Sequence, residues 1–202
     1  MAPSAVEHNF ITEYHMECAS PSEIGFIASS YFLGWMIGSL IFSPLSDLLG
    51  RKKSIIAGLL LYFFGTLYLL LIAHDKIGLY IGMFLVGVRT SPNSSLVYIL
   101  ITEYTDMKSR PFYTITCLLL KNVMHLLGGI YYSLGGHYKP LLYFGTALSF
   151  ILSIWTYFGI PESPRYLKVK EKVNQAIKDF RIIAKLNNRL KIYESYLATL
   201  SS

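Results

Sequence analysis

Two pairs of polar residues stand inside long apolar runs at helical spacing. Arg89 and Asn93 form one i,i+4 pair, and Lys121 and His125 form the other. Residues four apart share a helix face, so each pair lays hydrogen-bonding groups along one stripe. Such stripes suit two kinds of chemistry, recognition of an anion or relay of a proton. A plainer reading stands beside these. Arg89 would be a structural cation satisfied by a carbonyl, a carboxylate or a lipid phosphate, and Lys121 and His125 a polar face turned toward the Arg89 helix. A charge at membrane depth costs about 3 kcal/mol even on the mildest scales, so both cations are expected to face protein or water. Thr114, Cys117 and Gly128 continue the Lys121 stripe. A second set of ionisable residues, Asp47, Arg51, Glu103, Arg110, Glu162 and Arg165, lies in or beside the turns between runs. Neither set holds a catalytic constellation, a metal-ligand spacing or a phosphate-cradling glycine loop, so no enzyme activity, metal or other cofactor is expected.

These residues need elements that hold them, and the composition names the kind. Apolar residues make up 53% of the chain and charged residues 15%, where a soluble globular chain carries roughly 25% charged. A helix crosses a bilayer in about 20 mostly apolar residues. Ile24 to Leu45, Ser54 to Ala73 and Pro140 to Ile160 meet that with no charge. Ile77 to Ile101 and Phe112 to Leu134 meet it with polar interruptions, the first at Arg89 and the segment Thr90 to Ser95, with Pro92 expected to bend the helix. The runs are too long and too little alternating for barrel strands. The fold class expected is an all-α integral membrane protein: five transmembrane helices over residues 22–167, a polar segment over 1–21, and an amphipathic basic helix within 168–202. Val173, Ala176, Ile177, Phe180, Ile183 and Ala184 give that last helix its apolar stripe, suited to a membrane surface, to neighbouring loops or to a partner.

The net charge of +6 does not point to nucleic acid, because the cations fall in blocks between apolar runs. Fourteen of the eighteen Lys and Arg lie on one side of the five spans: Arg51-Lys52-Lys53, Lys108, Arg110 and everything from Arg165 onward. That side is expected to face the cytoplasm or its organellar equivalent, with the N-terminus on the other. The plasma membrane and an organelle membrane, such as the mitochondrial inner membrane, fit equally. Residues 1–21 lack both Lys/Arg and an apolar core, which is not the pattern of a secretory signal or a mitochondrial presequence. Cys18 and Cys117 are expected to be free thiols. Asn93-Ser94-Ser95 matches a glycosylation acceptor but falls at membrane depth, where no modification is expected.

Four segments carry a family resemblance. Ser43-Pro44-Leu45-Ser46-Asp47-Leu48-Leu49-Gly50-Arg51-Lys52-Lys53 resembles the G-x-L-S/A-D-R-x-G-R-K/R loop between the second and third helices of major facilitator superfamily transporters. In that turn Gly50 permits a tight bend, and Asp47 is expected to accept from the free amides of the next helix. Glu103 and Arg110 match the E-x6-R spacing of the next basic-side loop. Pro161-Glu162-Ser163-Pro164-Arg165-Tyr166-Leu167 is similar to the P-E-S-P-R-W/Y-L signature of sugar and organic-ion porters. Thr12-Glu13-Tyr14-His15-Met16-Glu17-Cys18 resembles the T-E-W-D-L-V-C segment before the second helix of organic-ion transporters. The departures are Ser43 for the loop's first Gly, Leu48 for its Arg, and Met83 for the Arg of R-F-L-x-G.

The resemblance implies the second to sixth helices of an N-terminal half, without the first helix or the second half. Facilitators bind substrate between two halves near the midplane, so this chain alone is not expected to close such a site. The slot of the first helix is expected to be covered by other membrane protein subunits, with lipids, anionic ones among them, as further partners. Gly34 and Gly38 form a small-xxx-small face, either for packing within the chain or for a partner helix. The resemblance also makes Arg89 a candidate anion contact, and makes the six turn residues a clamp among loops. The function expected is an accessory or structural subunit of a larger membrane complex. The alternative is part of a split or oligomeric carrier of organic ions or sugars, and a third possibility is a piece of a longer product.

Overall fold

The computed structural model describes residues 11, 14, 16–105 and 107–186, without the side chains of Ser91, Asn93, Pro164, Val173 and Leu186. Thr12, Glu13 and His15 of the N-terminal motif lie outside the described residues, as does everything from 187 onward.

Ser20 caps helix α1 (Pro21–Leu49). Glu23 Oε2 accepts from the Ser20 amide at 2.9 Å, and the Ser20 hydroxyl accepts from the Glu23 amide at 3.4 Å. This reciprocal pair satisfies amides that have no helical partner. Gly50 ends α1 with φ 108°, a conformation glycine adopts without a Cβ clash, and α2 (Arg51–Leu71) starts at the next residue. Asp75 caps α3 (Lys76–Ser91) by accepting from the Gly78 amide at 2.9 Å.

The third expected span comes in three pieces: α3, a π turn over Pro92–Leu96, and α4 (Val97–Tyr104). Pro92 has no N–H to donate and its ring crowds the turn before it, so the regular ladder fails there and a wider turn replaces it. Beyond lie α5 (Arg110–Ser133), α6 (Tyr138–Gly159), α7 (Pro164–Val169) and α8 (Val173–Leu186). Helices α1, α2, α5 and α6 are each long and apolar enough to cross a bilayer. No single piece of the third span reaches that length; its residues run on through α3, the π turn and α4.

The amphipathic segment expected from Lys168 is divided. Glu171, with φ 56°, stands after the end of α7. The Lys172 amide donates to the Leu167 carbonyl and the Glu171 amide to the Lys168 carbonyl, at 3.0 and 3.1 Å. These two bonds are a Schellman stop, which usually takes glycine at the left-handed position. A glutamate there gives the sequence no visible break.

Packing follows the small residues. A Cβ on Gly34 would stand 3.0 Å from the Val88 amide nitrogen, and one on Gly87 would stand 3.1 Å from that of Trp35. Gly38 likewise lies against the Val88 backbone. These glycines let α1 and α3 approach backbone to backbone, so the Gly34–Gly38 face is used within the chain. On the other side, α2 is flanked by α3 and α6. Thr66 and Thr146 bring their hydroxyl oxygens within 2.8 Å across the α2–α6 seam. Tyr14 and Met16 pack over Leu69, Ala73 and Leu79, and the Tyr14 hydroxyl donates to the Leu69 carbonyl at 3.2 Å. Met83 joins this apolar cluster, a setting that suits a thioether better than a guanidinium. Helix α5 differs from the rest. It makes its main contacts with α4, and none of its residues is buried. Leu40, Phe64, Phe144 and Phe158 are exposed on the bundle's outside, as a surface meant for lipid requires.

Candidate functional site

In the last turn of α3, Arg89 points toward α2. Its guanidinium carbon lies 3.7 Å from the centroid of the Tyr62 ring, a cation–π contact worth up to about 2 kcal/mol when desolvated. Gly145 on α6 makes room for Tyr62: a Cβ there would sit 2.6 Å from the phenol oxygen. Arg89 Nε is buried and has no hydrogen-bond partner among the described residues.

Around Arg89 lies an open cavity of about 500 Å³, bounded by α1, the α3–α4 span and α5. Helix α1 contributes Tyr31 and Trp35, the middle span Thr90, Ser94, Val97 and Tyr98, and α5 Cys117, Lys121 and His125. The structure thus brings three of the four sequence-selected polar residues to one space, and Cys117 with them. The side chain of Asn93 lies outside the described parts, and Thr114 and Gly128 do not line the cavity. Lys121 and His125 do not pack against the Arg89 helix; both are exposed across the gap. His125 Nδ1 is 2.7 Å from the Lys121 carbonyl oxygen. A carbonyl only accepts, so Nδ1 carries the proton and Nε2 is left for another partner. Tyr31 Oη lies 3.0 Å from Thr90 Oγ1, which itself donates to the Val86 carbonyl at 3.2 Å. Thr90 has one proton, so Tyr31 is the donor between them. This bond ties α1 to α3 at the cavity's edge.

The aromatic lining was not anticipated, although Tyr31 and Trp35 have the same i,i+4 spacing as the selected polar pairs. Tyr62 carried no such signal, because its role depends on which helix α3 meets.

The turn residues form a second group at the opposite end of α2 from Tyr14. Arg51 Nη1 reaches the Asp47 carboxylate at 2.8 Å and the Ser46 carbonyl at 3.1 Å. Its Nε makes a charge contact of 3.5 Å with Glu103, too long and misaligned for a hydrogen bond. Asp47 does not cap α2. Its side chain is 69% exposed and pairs along its own helix, while the cap comes from Glu162. The Glu162 Oε1 atom accepts from the amides of Lys52 and Ser163, both at 3.0 Å. The start of α2 presents free amides and the positive end of the helix dipole, so a buried carboxylate is favoured there. Tyr166 donates its hydroxyl to the Leu48 carbonyl at 2.8 Å, and Tyr104 donates to the Pro161 carbonyl. Glu103 faces Arg51 rather than Arg110, whose buried Nε has no hydrogen-bond partner among the described residues. Arg165 is exposed beside a cavity of about 390 Å³ that Asp47, Arg51 and Glu103 also line.

The described helices form a bundle with lipid-suited outer faces and an off-centre polar cavity, the build of an integral membrane protein. Residues 1–195 match the family described as sugar (and other) transporter, and the chain belongs to that family, within the major facilitator superfamily. Among curated proteins it is similar to an organic cation transporter protein of Drosophila melanogaster, 30% identical over 184 residues, which is 90% of this chain and 32% of the relative. The same shares hold for solute carrier family 22 member 1 of Bos taurus at 29% identity. Solute carrier family 22 member 2 of Homo sapiens is 27% identical over 182 residues, again 90% and 32%. The chain spans about a third of the length of these relatives.

Proposed function

We propose that the chain supplies one wall of a solute-binding cavity in an organic-ion carrier, with further membrane-embedded protein closing the open side. The observation that carries this reading is convergence. Arg89, Lys121 and His125, from two different helices, meet Tyr31 and Trp35 from a third around one cavity of about 500 Å³. A cavity of this size lined by aromatic faces and a few polar groups is typical of small-molecule sites. The names of the relatives, an organic cation transporter and members of solute carrier family 22, support a carrier of organic ions. The distribution of Lys and Arg supports an orientation with the turn cluster and α8 on the cytoplasmic-equivalent side. Anionic lipid headgroups would then lie near Lys178, Arg181 and Lys185.

The test is uptake of labelled organic ions by cells that carry the chain natively, against the same cells lacking it and cells carrying Lys121→Gln. Saturable uptake that the substitution weakens is the expected result. Uptake unchanged when the chain is removed would refute the proposal. A second reading, an accessory subunit of a larger membrane complex, is favoured by one observation. Arg51, Asp47, Glu103 and Glu162 find partners within the chain itself. Uptake unchanged by that removal, together with co-migration of the chain in a large assembly in mild detergent, would select it.

A further inference from the structure

We infer that the cavity between α1, the α3–α4 span and α5 takes an organic anion, its charged group held by Arg89 and Lys121. This rests on the proposed solute cavity and names the class of solute. The argument is one of sign and of unfilled valence. Among its described lining residues the cavity has an arginine, a lysine and a histidine but no aspartate or glutamate. An organic cation would meet like charge with nothing to offset it.

Arg89 makes the case specific. A guanidinium has five N–H groups to satisfy. Arg89 lies over the Tyr62 ring, which accepts no more than its face offers. Its Nε is buried without a hydrogen-bond partner, and no ion pair with it is found among the described residues. An unpaired cation at membrane depth is costly, and the cost is relieved when a carboxylate, sulfonate or phosphate supplies the missing acceptors. Stacking on Tyr62, itself seated against Gly145, fixes the plane of the guanidinium in advance. That lowers the ordering cost of binding.

The other two groups complement it from across the gap. Lys121 is exposed and its long stem can follow a ligand. The bond from His125 Nδ1 to the Lys121 carbonyl orients the ring and leaves Nε2, an acceptor in the neutral imidazole, for a hydroxyl or N–H on the organic part of the ligand. The organic part of the anion has Tyr31, Trp35 and Tyr98 to lie against, rigid faces that bind rings at small entropic cost. Inorganic phosphate or chloride would leave those faces unused.

The test is equilibrium binding to the full chain in lipid nanodiscs, read by fluorescence anisotropy with two xanthene probes of similar size. The probes are carboxyfluorescein, an anion, and rhodamine 123, a cation. Carboxyfluorescein is expected to bind at least tenfold more tightly than rhodamine 123. Lys121→Gln, on a helix with no buried residue, leaves folding undisturbed and is expected to weaken carboxyfluorescein binding about three- to fivefold. Arg89→Gln is expected to weaken it roughly tenfold or more. Tighter binding of rhodamine 123, or equal binding of both, overturns the anion assignment and leaves the solute cavity standing. Binding of neither probe overturns both. Carboxyfluorescein binding that Lys121→Gln leaves unchanged places the anion elsewhere and overturns the assignment.

Discussion

Replacing Glu162 separates two contributions to the joint between α1, α2 and α7. One oxygen of this buried carboxylate accepts from both the Lys52 and Ser163 amides at 3.0 Å. In Glu162→Ala both amides lose their acceptor inside the protein. A lost helix cap costs about 1 kcal/mol, and a second buried amide left unpaired adds about 1–2 kcal/mol, so the loss is about 2–3 kcal/mol. Glu162→Gln keeps a carbonyl oxygen for both amides and loses only the charge facing the dipole, about 0.5–1 kcal/mol. For a chain of this size a kcal/mol moves the melting point by about 2–4 °C, which gives about 4–12 °C for alanine and about 1–4 °C for glutamine. Thermal scans in mild detergent, followed by the fluorescence of Trp35 and Trp155, read both. Gly50 supplies an internal check. A Cβ there would lie 2.9 Å from the Glu162 carboxyl carbon, in addition to the strain of φ 108°. Gly50→Ala is therefore expected to cost less in the Glu162→Ala background than alone. Equal shifts for glutamine and alanine, or no shift for alanine, would refute the assignment of Glu162 as the cap of α2.

Substitution of Gly38 by alanine drives a Cβ into the Val88 backbone and is expected to destabilise the bundle by about 2–4 kcal/mol. Gly128→Ala on α5, with nothing within 4 Å, is expected to be neutral or slightly stabilising in the same scans. At the turn cluster, Asp47→Asn removes an exposed pair and is expected to change stability by less than about 0.5 kcal/mol. Glu103→Gln leaves Arg51 facing a neutral partner whose side chain is 6% exposed, with a loss of about 1–3 kcal/mol. The reverse ranking in denaturation experiments would count against that description. Cys18 is exposed at the end of the bundle away from the Arg51 turn. With the chain in the plasma membrane, a membrane-impermeant maleimide is expected to label it from outside intact cells, and labelling there only after permeabilisation would reverse the proposed orientation.

The apolar runs were legible in sequence because membrane insertion depends on run length and mean polarity, which are local sums. Ile24 to Leu45 falls within α1, and Ser54 to Ala73 and Pro140 to Ile160 overrun the ends of α2 and α6 by only two residues and one. The Gly50 turn was legible for a similar reason, since a positive φ is a property of one residue. Helix stops were harder. Pro92 marked a bend, but whether a proline kinks a helix or widens it into a π turn depends on the carbonyls its neighbours satisfy. Glu171 in a left-handed stop had no marker at all.

Partner choice lay beyond the sequence altogether. Asp47 was the nearer acidic residue to the start of α2, yet Glu162, 110 residues from Lys52, takes the cap. Arg51 turns to Asp47 and Glu103, and Arg110 keeps neither. The polar stripes on the Arg89 and Lys121 helices could be read one helix at a time. That they face one cavity, with Tyr62 beneath the guanidinium and Trp35 opposite, was decided by the close approach that Gly34, Gly38 and Gly87 allow between α1 and α3. Periodicity says which residues share a face; only the packing of backbones says what that face meets.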